Sequence, residues 1–139
     1  MSTTSTPETQ ASAAGPARKL RIYIVENHDD TRFLLGLLLE QLGHEVQAVA
    51  TKGEALDEAG SGDWHVLISD IGLPDGNGWE LLVELGDRAP PYAIAMSGFG
   101  MVSDRQKSLA AGYRHHLLKP VEPNRLEALL DEAASEIGS

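Results

Sequence analysis

Five residues of the 139-residue chain could do chemistry together: Glu26, Asn27, Asp70, Ser97 and Lys119. They are far apart in sequence, yet each sits at the end of a short apolar run. IYIV at 22–25 precedes Glu26 and Asn27, and WHVLIS at 64–69 precedes Asp70. YAIAMS at 92–97 closes on Ser97, and HHLL at 115–118 precedes Lys119. A carboxylate beside an ammonium, a hydroxyl and further oxygen donors suits phosphoryl transfer to a carboxylate, with Asp70 as nucleophile and an acyl phosphate as product. A phosphodianion approaching a carboxylate is repelled, so a cation must screen it. Mg²⁺ fits, because it takes oxygen ligands and binds through one or two carboxylates plus phosphate oxygens. Lys119 would supply a fixed positive charge and Ser97 a donor to a phosphoryl oxygen. Taken singly, each residue has a plainer alternative. Asp70 could be a cap or turn residue, Lys119 a solvated charge, and Ser97 before Gly98 a turn residue. Asp29 and Asp30 are read as helix caps.

These residues converge only if the runs are neighbouring strands. β-Branched and aromatic stretches predict strands at 22–25, 45–50, 64–69, 92–97 and 115–118. Leucine periodicity and punctuating glycines predict helices at about 30–42, 53–60, 78–86, 102–111 and 122–137. The last is the cleanest, with Leu126, Leu129, Leu130, Ala133 and Ile137 on one face. Residues 72–78 read as a loop from their glycine and proline content. Strict alternation of strand and helix predicts an α/β fold, a doubly wound five-stranded parallel sheet of order 2-1-3-4-5. In such sheets the site lies beyond the carboxyl ends of the strands.

Composition narrows the alternatives. A net charge of −10 without a basic stripe disfavours direct nucleic-acid binding. The absence of cysteine removes disulfides, thiolate nucleophiles and Cys-ligated zinc, and agrees with a cytoplasmic setting. No apolar run reaches the length of a membrane span. His115 and His116 are adjacent on a strand and point to opposite faces, so they cannot chelate one metal together. Residues 72–78 match neither GxGxxG nor GxxxxGK[ST], which argues against a nucleotide site. Residues 1–19, rich in Ser, Thr, Ala and Pro, read as a disordered N-terminal tail, leaving 20–139 as one domain.

IYIVEN at 22–27, LISDIGLPDGNGWELL at 67–82, AMSGFG at 95–100 and AAGYRHHLLKPV at 110–121 together resemble the receiver domain of bacterial two-component response regulators. Local wording is most similar to receivers attached to hybrid sensor kinases. The resemblance covers about 20–137 and implies a flavodoxin-like receiver fold with Asp70 as phosphoacceptor. It makes Glu26 and Asn27 the Mg²⁺-holding pair, with Asp70 and the Gly72 carbonyl as further ligands. Ser97 becomes the hydroxyl that moves to meet the phosphoryl group, and Lys119 the partner lysine, its bond to Pro120 cis. His116 falls where the family often has a Tyr or Phe whose rotamer reports phosphorylation, so it joins Ser97 as a switch residue. Asn27 stands where the family pattern prefers Asp.

The implied function is a stand-alone, phosphorylation-switched signalling module of a phosphorelay. Its donor would be a sensor histidine kinase or a phosphotransfer protein. No output domain is expected after Ser139, so output would pass through protein contact on the helix 4–strand 5–helix 5 face, as His116 and the 98–104 loop repack. The module would assist only its own phosphorylation and dephosphorylation and would not otherwise be an enzyme. A pseudo-receiver scaffold, binding partners without phosphorylation, is the alternative that Asn27 keeps open. An aspartyl-phosphate phosphatase would want a second acid two residues after Asp70, where Gly72 stands. Gly72 cannot orient a water and Phe99 could shield the site, so slow hydrolysis of the acyl phosphate is expected.

Overall fold

The computed structural model describes residues 19–60, 62–98 and 102–138. The apolar runs form β1 (Arg21–Val25), β2 (Glu45–Val49), β3 (Val66–Asp70), β4 (Tyr92–Ser97) and β5 (His115–Leu118). Between and after them lie α1 (Asp29–Gln41), α2 (Lys52–Glu58), α3 (Gly78–Leu85), α4 (Val102–Ala111) and α5 (Pro123–Gly138). All four strand pairings are parallel, and the sheet order is β2-β1-β3-β4-β5, the predicted doubly wound arrangement. β3 and β4, which lie inside the sheet, are buried throughout and read as continuous apolar runs. β2, at the edge, alternates between exposed and covered residues.

Strand alternation divides the core into two layers. Ile22, Ile24, Val66, Ile68, Tyr92, Ile94, Met96 and Leu117 face α1 and α5, where Leu35, Leu39, Leu126, Leu129 and Leu130 cover them. Tyr23, Val25, Leu67, Ala93 and Ala95 face the other way, toward Leu81, Leu82, Leu85 and Tyr113. Glu26, Asp70 and Lys119 continue the alternation of the first layer, whereas Ser97 continues that of the second. Register sets their heights: Asp70 pairs with Met96, and Ser97 with Leu118.

Local differences from the sequence reading have physical reasons. His28, not Asp29 or Asp30, is the N-cap of α1, and its side chain makes no capping bond. Both aspartates lie in the first turn, where negative charge favours the positive helix end. β3 starts two residues later than expected, because Trp64 leaves the strand path to pack edge-on against Tyr23 at 5.2 Å. It runs one residue further, taking Asp70 into the ladder. The loop at 72–78 contains a two-residue antiparallel ribbon, Gly72–Leu73 with Gly76–Asn77. Asn77 then caps α3 in a reciprocal pair with Glu80. Asp75 accepts from the Lys52 and Gly53 backbone N–H groups, tying the loop to the start of α2. The expected tail lies outside the described residues except for Lys19. No helix among the described residues is long and apolar enough to cross a membrane.

Candidate functional site

The carboxyl ends of β1, β3 and β5 deliver Glu26, Asp70 and Lys119 to one point. Lys119 Nζ donates to Asp70 Oδ2 at 2.7 Å and stands 2.5 Å from Glu26 Oε1. That oxygen is fully buried, with the Lys119 ammonium as its charged partner. The other oxygen, Oε2, accepts from the His28 backbone N–H at 2.8 Å and lies 3.1 Å from His28 Nδ1. Backbone bonds fix these positions. The Glu26 N–H extends the ladder to Val49 O, Ile71 N–H reaches Met96 O, and Lys119 N–H reaches Ser97 O. The Lys119–Pro120 bond is cis, as the resemblance implied.

Gly78, at the start of α3, lies against this frame. A Cβ there would come within 2.6 Å of the Asp70 carbonyl oxygen, so the helix can approach the Asp70 backbone only with glycine at this position. Tyr113 Oη donates to the Gly78 carbonyl and Ser69 Oγ to that of Asp70.

Two buried acids share one cation, and their charges settle unequally. Burial opposes ionisation of Glu26, but Lys119 and the His28 N–H outweigh it and hold the carboxyl below its ordinary range. Burial also dominates at Asp70. Together with the neighbouring Glu26 charge it outweighs Lys119 and pushes that carboxyl up. Burial pulls Lys119 down, but its two carboxylate partners more than compensate and raise it. The pocket is thus short of positive charge at Asp70. Its carboxylate oxygens are hard donors of the kind a divalent cation takes. Glu26, Asp70 and His28 each place a ligand atom within 4.8 Å of the others. The residues present therefore fit a metal ion.

Of the remaining predicted residues, Gly72 is exposed, with open space where a side chain would project. Asn27 is exposed, and its carbonyl accepts from Arg32 Nη1 at 3.3 Å. Ser97 Oγ lies 2.7 Å from His116 Nε2, turned toward β5 and α4. His115 and His116 do face opposite sides: His115 Nε2 lies 2.9 Å from Glu132 of α5, and His116 Nδ1 lies 2.8 Å from Ser108 Oγ of α4. Phe99, expected to shield the site, lies outside the described residues, as do 100 and 101 of the 98–104 loop. Sequence reasoning missed His28 as a neighbour of Glu26, and it missed Ser108 and Trp79 beyond His116. A polar residue facing inward from a short helix was the available sign for Ser108. For His28 there was none, because its contact depends on how the chain turns into α1.

The response regulator receiver domain family matches residues 22–131. The chain belongs to that family. Receiver domains are phosphorylation-based signalling modules of two-component systems; they bind Mg²⁺ in the acidic pocket and interact with histidine kinases or phosphotransfer proteins. This receiver is 32% identical to the "Uncharacterized 14.6 kDa protein in sodA1 3'region" of Leptolyngbya boryana, covering 82% of this chain and 89% of that protein. It is also 32% identical to the virulence sensor protein BvgS of Bordetella bronchiseptica, covering 94% of this chain but only 12% of that protein. Among solved structures, a CheY-like receiver from Methanospirillum hungatei is 31% identical, with a TM-score of 0.79 over 86% of this chain and 96% of that one. A response regulator from Clostridium difficile shares the fold, with a TM-score of 0.82 at 21% identity, over 87% of this chain and all of that one.

Proposed function

We propose that Asp70 of this receiver accepts a phosphoryl group from a phosphohistidine of a sensor kinase or phosphotransfer protein, in a Mg²⁺-dependent reaction. The observation that carries this reading is the buried Glu26–Lys119–Asp70 cluster at the carboxyl ends of three parallel strands. An Asp70 carboxylate oxygen attacks phosphorus, a P–O bond forms, the P–N bond breaks, and its electron pair returns to the donor imidazole. Lys119 stays beside the carboxylate and offsets the charge that arrives with the phosphoryl group. Ser97, one residue past the register partner of Asp70, donates to a phosphoryl oxygen. Glu26, Asn27, Asp70 and the Gly72 carbonyl would hold the ion, which supplies electrostatic screening between carboxylate and phosphate. Output passes to a protein partner through α4, β5 and α5, where Val102, Leu109 and Leu118 are exposed apolar residues.

The test is incubation of the full chain with acetyl phosphate and Mg²⁺, read as a mobility shift on a phosphate-affinity gel. Wild type should label, and Asp70→Ala or excess chelator should abolish labelling. Equal labelling of Asp70→Ala would refute the assignment. Asn27 favours one other reading, a scaffold that binds partners unphosphorylated, because an amide brings a dipole where the family prefers a charge. Under that reading wild type stays unlabelled even at saturating Mg²⁺, and Asn27→Asp gains labelling. Under the phosphoacceptor reading Asn27→Asp only tightens Mg²⁺ binding, by roughly ten-fold.

A further inference from the structure

We propose that Arg32 is a positioning residue for the Mg²⁺-holding pair: its guanidinium fixes the two peptide planes on either side of Asn27, and so sets where the Asn27 amide and the Glu26 carboxylate are presented. This rests on the reading of Glu26 and Asn27 as metal holders.

The turn from β1 into α1 is not held by a helix cap, because the N-cap residue His28 makes no side-chain capping bond. Arg32, in the first turn of α1, supplies the fastening. Its Nη1 donates to the Glu26 carbonyl at 2.9 Å and to the Asn27 carbonyl at 3.3 Å, and its Nη2 donates to Asp29 Oδ1 at 2.6 Å. The Glu26 carbonyl belongs to the peptide unit before the Asn27 Cα, and the Asn27 carbonyl to the unit after it. Peptide units are planar, so the two dihedrals between these units are the soft backbone freedom at Asn27. One nitrogen bonded to both carbonyls holds both dihedrals, and with them the direction of the Asn27 Cβ. The second unit is held from its other side as well. Its N–H, that of His28, donates to Glu26 Oε2 at 2.8 Å. Arg32, the backbone at Asn27 and the Glu26 carboxylate thus form one frame.

A plain surface ion pair would look different. Arg32 and Asp29 stand three apart on a helix, the spacing of exposed pairs that contribute little. Asp29 is 87% exposed, as in such a pair, but the Arg32 side chain is only 24% exposed and commits Nη1 to backbone oxygens. The planar guanidinium can reach carbonyls with one nitrogen and a carboxylate with another. An ammonium is a point charge on a flexible stem, so lysine would keep the charge and lose the frame.

The test is titration calorimetry of the full chain with Mg²⁺, beside urea unfolding in metal-free buffer. In Arg32→Lys the peptide planes at Asn27 are free to turn, so the binding-ready arrangement is only part of the population. Mg²⁺ affinity should fall about five-fold, the worth of one hydrogen bond. Arg32→Gln also removes a positive charge, which by electrostatics alone would favour a cation. It should still bind about five-fold more weakly, and it carries the test if Arg32→Lys does not fold. Asp29→Asn loosens only the outer ion pair and should stay within about two-fold of wild type. Arg32 variants that lose stability yet bind Mg²⁺ like wild type would overturn the positioning role and leave the acid pocket as read. Tighter binding by Arg32→Gln, or an Asp29→Asn loss as large as that of Arg32→Lys, would overturn it in the same way, by assigning the effect to charge. Mg²⁺ binding that is absent from wild type, or that Asp70→Ala leaves unchanged, would overturn the reading of the pocket and the role of Arg32 with it.

Discussion

α4 and α5 flank the same strand, β5, and they are held by opposite means. α5 lays Leu126, Leu129, Leu130, Ala133 and Ala134 into the core. α4 buries only Ser108, while Val102 and Leu109 remain exposed at 69% and 59%. Dispersion and burial hold α5 with many small, non-directional contacts that no single event cancels. α4 is held near its middle by one hydroxyl that bonds Trp79 and His116 outside the helix, and the direction of the His116 bond depends on where the imidazole proton sits. The adjacent histidines divide in the same way, His115 toward Glu132 of α5 and His116 toward Ser108 of α4. One helix is thus fixed by packing and the other by a few directional bonds.

The comparison can be broken most forcefully at Leu130. Leu130→Ala should cost about 2–5 kcal/mol of unfolding free energy by urea titration, since a buried leucine leaves both lost transfer energy and a cavity. A loss below about 1 kcal/mol would mean that packing does not fix α5. Next, Ser108→Ala should cost about 1 kcal/mol, because it removes the shared partner of Trp79 and His116 at a part-buried site. A neutral result would show that α4 does not depend on its polar tether. Hydrogen exchange sharpens the contrast. Saturating beryllofluoride, an acyl-phosphate mimic, with Mg²⁺ should change amide exchange in α4 by about five-fold and leave the middle of α5 unchanged, and equal changes in both would remove the distinction. The smallest effect is expected at the solvent-facing rim of α5. Hydrogen bonds from His115 and Tyr92 hold the Glu132 carboxyl below its ordinary range. Its contribution is therefore present above the unfolded carboxylate range and is lost as pH falls through the lower, folded value. Glu132→Gln should lower the melting temperature slightly at pH 7 and not at all in strong acid, as scanning calorimetry at the two pH values would show.

Much of this was legible in the chain itself. Periods of two and of about 3.6 placed the strands and helices, and their alternation required parallel pairing, because parallel neighbours need long crossovers. The sheet order with the strand-end residues brought Glu26, Asp70 and Lys119 together, since backbone alternation and register are set by short-range geometry. Gly78 was legible only as part of a turn; its closeness to the Asp70 carbonyl depends on where α3 lands. The alternation also separated His115 from His116 in advance. It could not say what each would meet, because those partners lie on helices whose rotation is set by packing.

The sequence by itself determined the order of elements, the two-layered core and the set of charged residues at the strand ends, because each follows from periodicity and connection length. Tertiary structure alone decided that Lys119 sits between two buried acids and that their carboxyls shift in opposite directions. It alone decided that Ser97 faces His116. Such contacts turn on distances of a few tenths of an ångström between groups remote in the chain, and both hydrogen bonding and desolvation change steeply over that range.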